Sequence, residues 1–382
     1  MNKRKILLTI LVAASLLSAC GGEKAEVEKD HSISTEAGQE NPITVDGKEE
    51  SSSESTEVKP DEKDQEDVSN QGTEGEQGEA EVSYLSPLTG QFVKDASILE
   101  KRPIAVMLDN HRAARWQAGV GEADIVYEFL AEGTITRYMA IFLENKPVRI
   151  GPVRSARPYF ITKALEYDAV YTHCGGSEQA FADIKALGVA DIDEIRNSGG
   201  AFYRYYKTGK KGEHTLYTDI DKIRSAQKQH KYRQEPKYDT FKFNLEDTDM
   251  ASGDVANFVW IDYQRENITE YKYDAENKVY KRYKDGKLHV DENNQEPITA
   301  KNILIQRADT NTIDSYGRYS VKFVGTGKGY YVTNGKAIAV TWEKSDRRAK
   351  TIYKDSDGNV ISLNPGKTWI QVIKLSTKMK IE

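Results

Sequence analysis

The sequence predicts an α+β protein: a mixed α/β N-terminal domain followed by a β-rich C-terminal domain, preceded by a disordered acidic linker. Three observations predict it. No Trp, Tyr or Phe occurs before Tyr84, and all the aromatic residues follow it. Between residues 102 and 188, apolar runs of strand length alternate with helical spacing. Beyond residue 255 the chain falls into short alternating runs, several separated by Asp-Gly or Asn-Gly, which favour tight hairpins.

In chain order, 102–109 (Arg-Pro-Ile-Ala-Val-Met-Leu-Asp) is an apolar run closed by Asp109-Asn110 and reads as a buried strand. Segment 123–132 fits a strand or a helix, and 138–143 reads as a strand. Residues 155–167 have helical spacing with Pro158 in the first turn, where a missing N–H is tolerated. A strand over 169–174 leads through Gly175-Gly176 into a helix over 177–187, closed by Gly188. The polar stretch around 245–254 marks a domain boundary, giving an α/β domain over 84–245 and a β-rich domain over 255–382. Strand-like runs follow at 258–263, 269–273, 279–283, 303–306, 319–324, 329–333, 337–342, 351–354 and 369–373.

The formal net charge of −6 is a sum of unlike parts. Residues 1–20 carry three basic residues and no acid; 21–83 carry 20 acidic residues and 5 lysines; 84–382 carry 46 basic and 40 acidic residues. The first part has the order of a signal peptide: Lys3-Arg4-Lys5, an apolar run over 6–17, then Leu17-Ser18-Ala19-Cys20-Gly21. Those last residues resemble a bacterial lipobox. The resemblance implies a signal peptide over 1–19, cleavage before Cys20 and a lipid on its sulfur, with palmitate-type N-acylation as a further step. The expected location is the outer face of the cytoplasmic membrane, lipid-anchored and extracytoplasmic. From Cys20 to residue 83 the composition is too polar to bury a core, so a disordered linker is expected. With Cys20 lipidated, Cys174 has no disulfide partner.

Further strings resemble the YerB-type family of bacterial lipoproteins, built of two adjacent domains of unknown function. They are Pro-Leu-Thr-Gly (87–90), Arg-Pro-Ile-Ala-Val-Met-Leu-Asp-Asn (102–110), Gly-Glu-Ala-Asp-Ile-Val-Tyr-Glu (121–128), Gly-Thr-Ile-Thr-Arg (133–137), Ile-Gly-Pro-Val-Arg-Ser-Ala-Arg-Pro-Tyr (150–159), His-Cys-Gly-Gly-Ser (173–177) and Asn-Pro-Gly-Lys-Thr-Trp (364–369). The resemblance spans about residues 84–375 and implies a lipid-anchored cell-envelope protein with an α/β first part and a β-rich second. It implies no biochemical activity.

Candidate chemistry comes from the residues. Arg149, Arg154 and Arg157 fall within nine positions, ahead of a predicted helix whose dipole opposes cations there. An external anion (a carboxylate, a teichoic-acid phosphate or a muramyl lactyl group) or internal Asp and Glu would compensate them. Gly176 and Ser177 form a strand-to-helix corner that suits an anion or a plain tight turn. It lacks the Walker A and dinucleotide fingerprints, so no cofactor is expected. Asp109, Glu128, His173 and His214 are of the types needed for acid/base catalysis, and also of the types that fill buried hydrogen-bond networks. Asp109, His111, His173 and Glu128 show no spacing specific to metal, and no metal site is expected. Tyr203-Arg-Tyr-Tyr-Lys207 interleaves aromatics and cations, which suits sugars and acids or an exposed strand. The leader argues against nucleic acid as a partner. Two functions remain. One is an anchored module that binds an anionic cell-wall polymer or a membrane protein. The other is a cell-wall-active enzyme that cleaves peptidoglycan glycan or muropeptide by carboxylate acid/base catalysis.

Overall fold

Ile104–Asp109 (β1) is buried at all six positions, as a strand covered on both faces must be. Ile125–Glu132 (β2) and Ile135–Phe142 (β3) follow as an antiparallel hairpin turning at Gly133, φ 55°. The computed structural model describes residues 84–382 apart from Thr240, Arg265 and Glu266. The leader, Cys20 and the acidic linker lie outside the described residues. The 123–132 segment is thus a strand, and β1, β2 and β3 form a meander with only two short 3-10 turns, Arg112–Ala114 and Val120–Glu122, and no α-helix between them.

Alternation begins afterwards. The helix Pro158–Leu165 (α1) precedes Val170–His173 (β4), and Glu178–Ala186 (α2) precedes Asp191–Asp193 (β5). Helix α1 starts three residues later than its spacing predicts. Ala156 is held in a bridge to Gly176, and Arg157 is extended at φ −138°, ψ 150°. Helix α2 begins as predicted, with the Ser177 hydroxyl accepting from the Ala180 N–H at 3.2 Å. A third helix, Ile220–Gln229 (α3), is capped by Asp219.

The C-terminal half supplies Phe258–Asp262 (β6), Ile268–Asp274 (β7), Val279–Lys284 (β8), Asn302–Ala308 (β9), Gly325–Thr333 (β10), Lys336–Lys344 (β11), Thr368–Lys374 (β12) and Lys378–Ile381 (β13). Asn334-Gly335 joins β10 to β11 with φ values of 47° and 72°, the two-residue hairpin expected there. Asp285-Gly286 does the same after β8, with φ values of 51° and 74°, which match the right-handed twist of the flanking strands.

Two sheets result. The larger, of eleven strands, runs from Asp254–Val255 through β11, β10, β9, β12, β2, β3, β1 and β4 to β5, with Ile352–Lys354 also on β11. It is mixed: β12 lies parallel between β9 and β2, while β2, β3 and β1 are antiparallel neighbours. Strands from both sides of residues 245–255 therefore share one sheet. The smaller, of six strands, orders Lys287–Leu288, β8, β7, β6 and β13, with Thr299–Ala300 on β8.

Trp369 on β12 is 1 % exposed and meets Tyr138, Tyr271 and His289 at ring distances of 5.5, 6.4 and 6.4 Å. Strand β10 opens with glycines because its neighbours leave no room. A Cβ on Gly329 would stand 2.1 Å from the Ile305 carbonyl oxygen, and one on Gly327 would meet the Trp342 ring at 2.5 Å. We expect Gly329→Ala to lower unfolding free energy by about 1–3 kcal/mol, since backbone must shift to admit the methyl. Urea unfolding followed by circular dichroism measures this, and an unchanged midpoint would contradict the close approach.

Candidate functional site

Glu128 is the fourth residue of β2 and has no solvent exposure. Its Oε1 accepts from Thr136 Oγ1 at 2.8 Å, Lys284 Nζ at 3.0 Å and Asn110 Nδ2 at 3.4 Å. Its Oε2 accepts from Thr269 Oγ1 at 3.1 Å and from the Arg282 guanidinium. Burial raises its pKa, but Lys284 and Arg282 outweigh that and hold the carboxyl down to about 2. Arg282 donates onward to His289 Nδ1 at 2.5 Å, and His289 Nε2 meets Gln117 Oε1 at 3.0 Å. Burial, with Arg282 and Lys284 nearby, keeps the His289 pKa far below its ordinary value. A carboxylate so enclosed has no route to a substrate proton, so Glu128 is a structural ion rather than an acid/base.

His173 is also fully buried. Its Nδ1 lies 2.8 Å from the Gly175 carbonyl and its ring 5.1 Å from Tyr171. It sits inside the turn at the end of β4, closed off from solvent, with Asp191 Oδ2 3.4 Å from Nε2 and Asp193 Oδ1 3.7 Å from Nδ1. Gly176 packs against Ala156, and Ser177 is spent on capping α2. Cys174 Sγ faces Glu194 Oε2 at 3.5 Å, and burial with that carboxylate pushes the thiol up to about 12. That setting is opposite to what a nucleophilic thiolate needs. Among the described residues no group of three or more His, Cys, Asp and Glu side chains could hold a metal ion.

Asp109 and His214 do meet. Asp109 ends β1, and its Oδ1 accepts from the His111 N–H at 2.8 Å. Its Oδ2 receives Arg154 Nε at 2.7 Å and His214 Nδ1 at 2.8 Å. Burial opposes ionisation of Asp109, yet Arg154 and the His111 N–H lower its pKa. His214 is 12 % exposed and stacks on His111 with centroids 5.3 Å apart. With Nδ1 turned to Asp109, Nε2 is the nitrogen left for chemistry.

The three arginines do not converge. From Ile150 to Ala156 the chain is extended, bridged to Thr218, Ala118, Leu108 and Gly176 in turn. Side chains an odd number of positions apart on extended backbone tend to opposite faces. Arg154 goes to Asp109 and, at 3.3 Å, Glu213. Arg157 ion-pairs with Glu132, so an internal carboxylate answers the α1 dipole. Arg149 differs. Its guanidinium carbon lies 4.5 Å from the centre of the Tyr205 ring. Its buried Nε has no hydrogen-bond partner, and among the described residues no carboxylate reaches it within ion-pair distance.

Arg149 lines a cavity of about 390 Å³ with Arg115, Trp116, Tyr205, Lys207 and Lys210. Glu292 closes it, held by Lys210 and by the Tyr217 hydroxyl at 2.9 Å. Arg115 is paired with Asp285. Lys207 is exposed and carries no ion pair among the described residues. The aromatic-cationic run 203–207 pointed to half of this cavity. Arg115, Trp116 and Glu292 carried no sequence signal, since they arrive from two stretches far from 203–207 and from each other. A larger cavity, about 940 Å³, is lined by groups of both signs, including the Arg233–Asp168 pair at 2.6 Å, and offers no comparable excess of charge.

These features place the chain in a family. Two models cover it: the N-terminal domain described as "Protein of unknown function (DUF3048)" over residues 88–233, and the C-terminal domain of the same description over 259–370. The chain belongs to this family. A Bacillus subtilis (strain 168) relative named "Putative lipoprotein YerB" is 35% identical over 292 residues, which are 75% of this chain and 86% of the relative. The crystal structure of Bacillus subtilis YerB matches with a TM-score of 0.70 at 32% identity, covering 78% of this chain and 99% of that one. A lipoprotein character agrees with that name. Among the described residues no helix is long and apolar enough to cross a membrane.

The Glu128 cage makes acid unfolding specific. Its folded pKa lies below the ordinary 4.5, so its contribution is complete above about pH 4.5 and is lost as pH falls toward 2. We expect Glu128→Gln to cost about 3–5 kcal/mol at pH 7, because two buried cations lose their counter-ion. The penalty should shrink at pH 2–3. An equal penalty at pH 7 and pH 2.5, from urea midpoints, would remove the carboxylate from this role.

Proposed function

We propose that this protein is held on the outer face of the cytoplasmic membrane by a lipid on Cys20, and that its body binds an anionic cell-envelope ligand in the Arg149 cavity. The observation that carries the reading is Arg149 itself. A guanidinium that has a ring to stack on and no internal carboxylate is left free for an external carboxylate or phosphate. Lys207 adds a second cation, and Trp116 and Tyr205 offer ring faces that suit a sugar. A wall polymer bearing phosphate or lactyl carboxylate has this combination of groups. The surplus of basic over acidic residues in 84–382 favours such partners and disfavours a basic protein.

The test is retention of the soluble protein on purified cell wall. Arg149→Ala should weaken retention about ten- to hundredfold, the range expected for lost charge-assisted hydrogen bonds. Arg149→Lys should fall between, since an ammonium lacks the bidentate fork. In cells, Cys20→Ser should release the protein from the membrane fraction. Full retention by a folded Arg149→Ala variant would defeat the binding reading, whatever Cys20→Ser does.

The Asp109–His214 pair favours a second reading, cleavage of muropeptide or glycan with His214 as general base. Mass spectrometry of sacculi incubated with wild type and His214→Ala decides it. New fragments from wild type alone would establish it, and their absence from both would remove it for that substrate.

A further inference from the structure

The geometry points to a second binding site, for an amphipathic anion consisting of an apolar chain with a phosphate head. It is a groove of about 680 Å³ between the first turns of α1 and α2 and the hairpin formed by Thr310–Thr312 and Tyr319–Val321. That volume is ordinary for a small-molecule site. The site is separate from the Arg149 cavity and shares no lining residue with it.

The walls are apolar for a definite reason. The Tyr159 hydroxyl donates to the Ala131 carbonyl at 3.1 Å, and the Tyr319 hydroxyl donates to the Gly133 carbonyl. Both rings therefore present carbon to the groove, and Phe323 and Val321 continue the surface. At the mouth, Ile313 and Val324 are 58% and 39% exposed.

The polar groups are mainly cationic. Arg157, Arg318, Lys322 and Arg347 line the groove, against Glu178 and Asp183. Asp183 is already engaged by Arg347 at 2.8 Å and by Gln179 at 2.9 Å. Arg157 and Arg318 each keep one carboxylate, Glu132 and Asp314. Lys322 has none among the described residues, and the buried Nε of Arg157 has no hydrogen-bond partner. The N-terminal end of α2 adds partial positive charge on the same side. A tail against the rings and an anionic head among these groups satisfies both surfaces. An acidic peptide would need backbone partners along the walls, where the two tyrosine hydroxyls are already spent.

The test uses the chain from residue 20 onward carrying Cys20→Ser, titrated calorimetrically with dodecyl phosphate below its micelle concentration. Dodecyl maltoside, inorganic phosphate and hexaglutamate are the comparison probes. Dodecyl phosphate should bind at least about tenfold more tightly than either half-ligand, as expected when one charge-assisted contact and one apolar contact are both needed. Ala182→Trp, at an exposed position of α2 facing the groove, should abolish binding, and Arg318→Gln with Lys322→Gln should weaken it about tenfold. Arg149→Ala should leave it unchanged, which separates this site from the cavity proposed above. No binding of dodecyl phosphate, full binding by a folded Ala182→Trp variant, or hexaglutamate binding as tightly as dodecyl phosphate would each overturn the proposal.

Discussion

The buried carboxylate of Glu128 is the constraint on which the rest of the structure depends. It lies between Arg282 and Lys284, and all three are fully enclosed. Bringing such ions out of water costs several kcal/mol each, so the arrangement is tolerable only when every partner is in place. Asn110 and Thr136 come from the first half of the chain, and Thr269, Arg282 and Lys284 from the second. The same composition recurs at Glu166, which binds Lys163 of α1 at 2.8 Å and Lys344 of β11 at 3.1 Å. Two family models describe the chain as two stretches, but neither stretch balances its own buried charges. With β12 inserted between β9 and β2, the two stretches are joined by sheet hydrogen bonds as well.

This internal balancing determines which charges remain for a partner. Arg102, Arg137, Arg154, Arg157 and Arg347 all hold carboxylates within the fold. A cluster of arginines in the sequence is thus mostly consumed by structure. What distinguishes Arg149 is its neighbour: a Tyr205 face can accommodate a guanidinium without neutralising it. Lys207 and Lys322 remain for a simpler reason, since both are exposed and water solvates them.

Local signals were legible and distant ones were not. Ser177 and Gly188 bound α2, and Asn334-Gly335 turns β10 into β11, because caps and two-residue turns depend on adjacent residues. Glu128 looked like a catalytic acid because nothing near it in sequence discloses Lys284, 156 positions away. The arginine cluster looked like one site because spacing along a chain does not reveal that the backbone between them is extended. The Asp109–His214 pair spans 105 positions; both residues were recognisable as candidates, and their contact was not. The lipid anchor and linker were legible only as sequence, and they lie outside the described residues.

The two most perturbed carboxyls of the first half bear on where such a fold can work. Glu128 stays ionised to about pH 2. Asp124, buried and near Glu144, is pushed up to about 7 while accepting from the Leu143 N–H at 2.6 Å. A raised carboxyl favours the folded state below its ordinary pKa and loses that advantage as pH rises through 7, so mild acid strengthens the site around Asp124. A surface at roughly −30 mV concentrates protons about threefold, lowering local pH by about half a unit. Over that interval the Glu128 cage does not titrate and the Asp124 site gains. The buried Glu128 cage that joins the two halves is therefore not weakened beside an anionic surface, where the local pH stays far above the range in which its carboxylate takes up a proton.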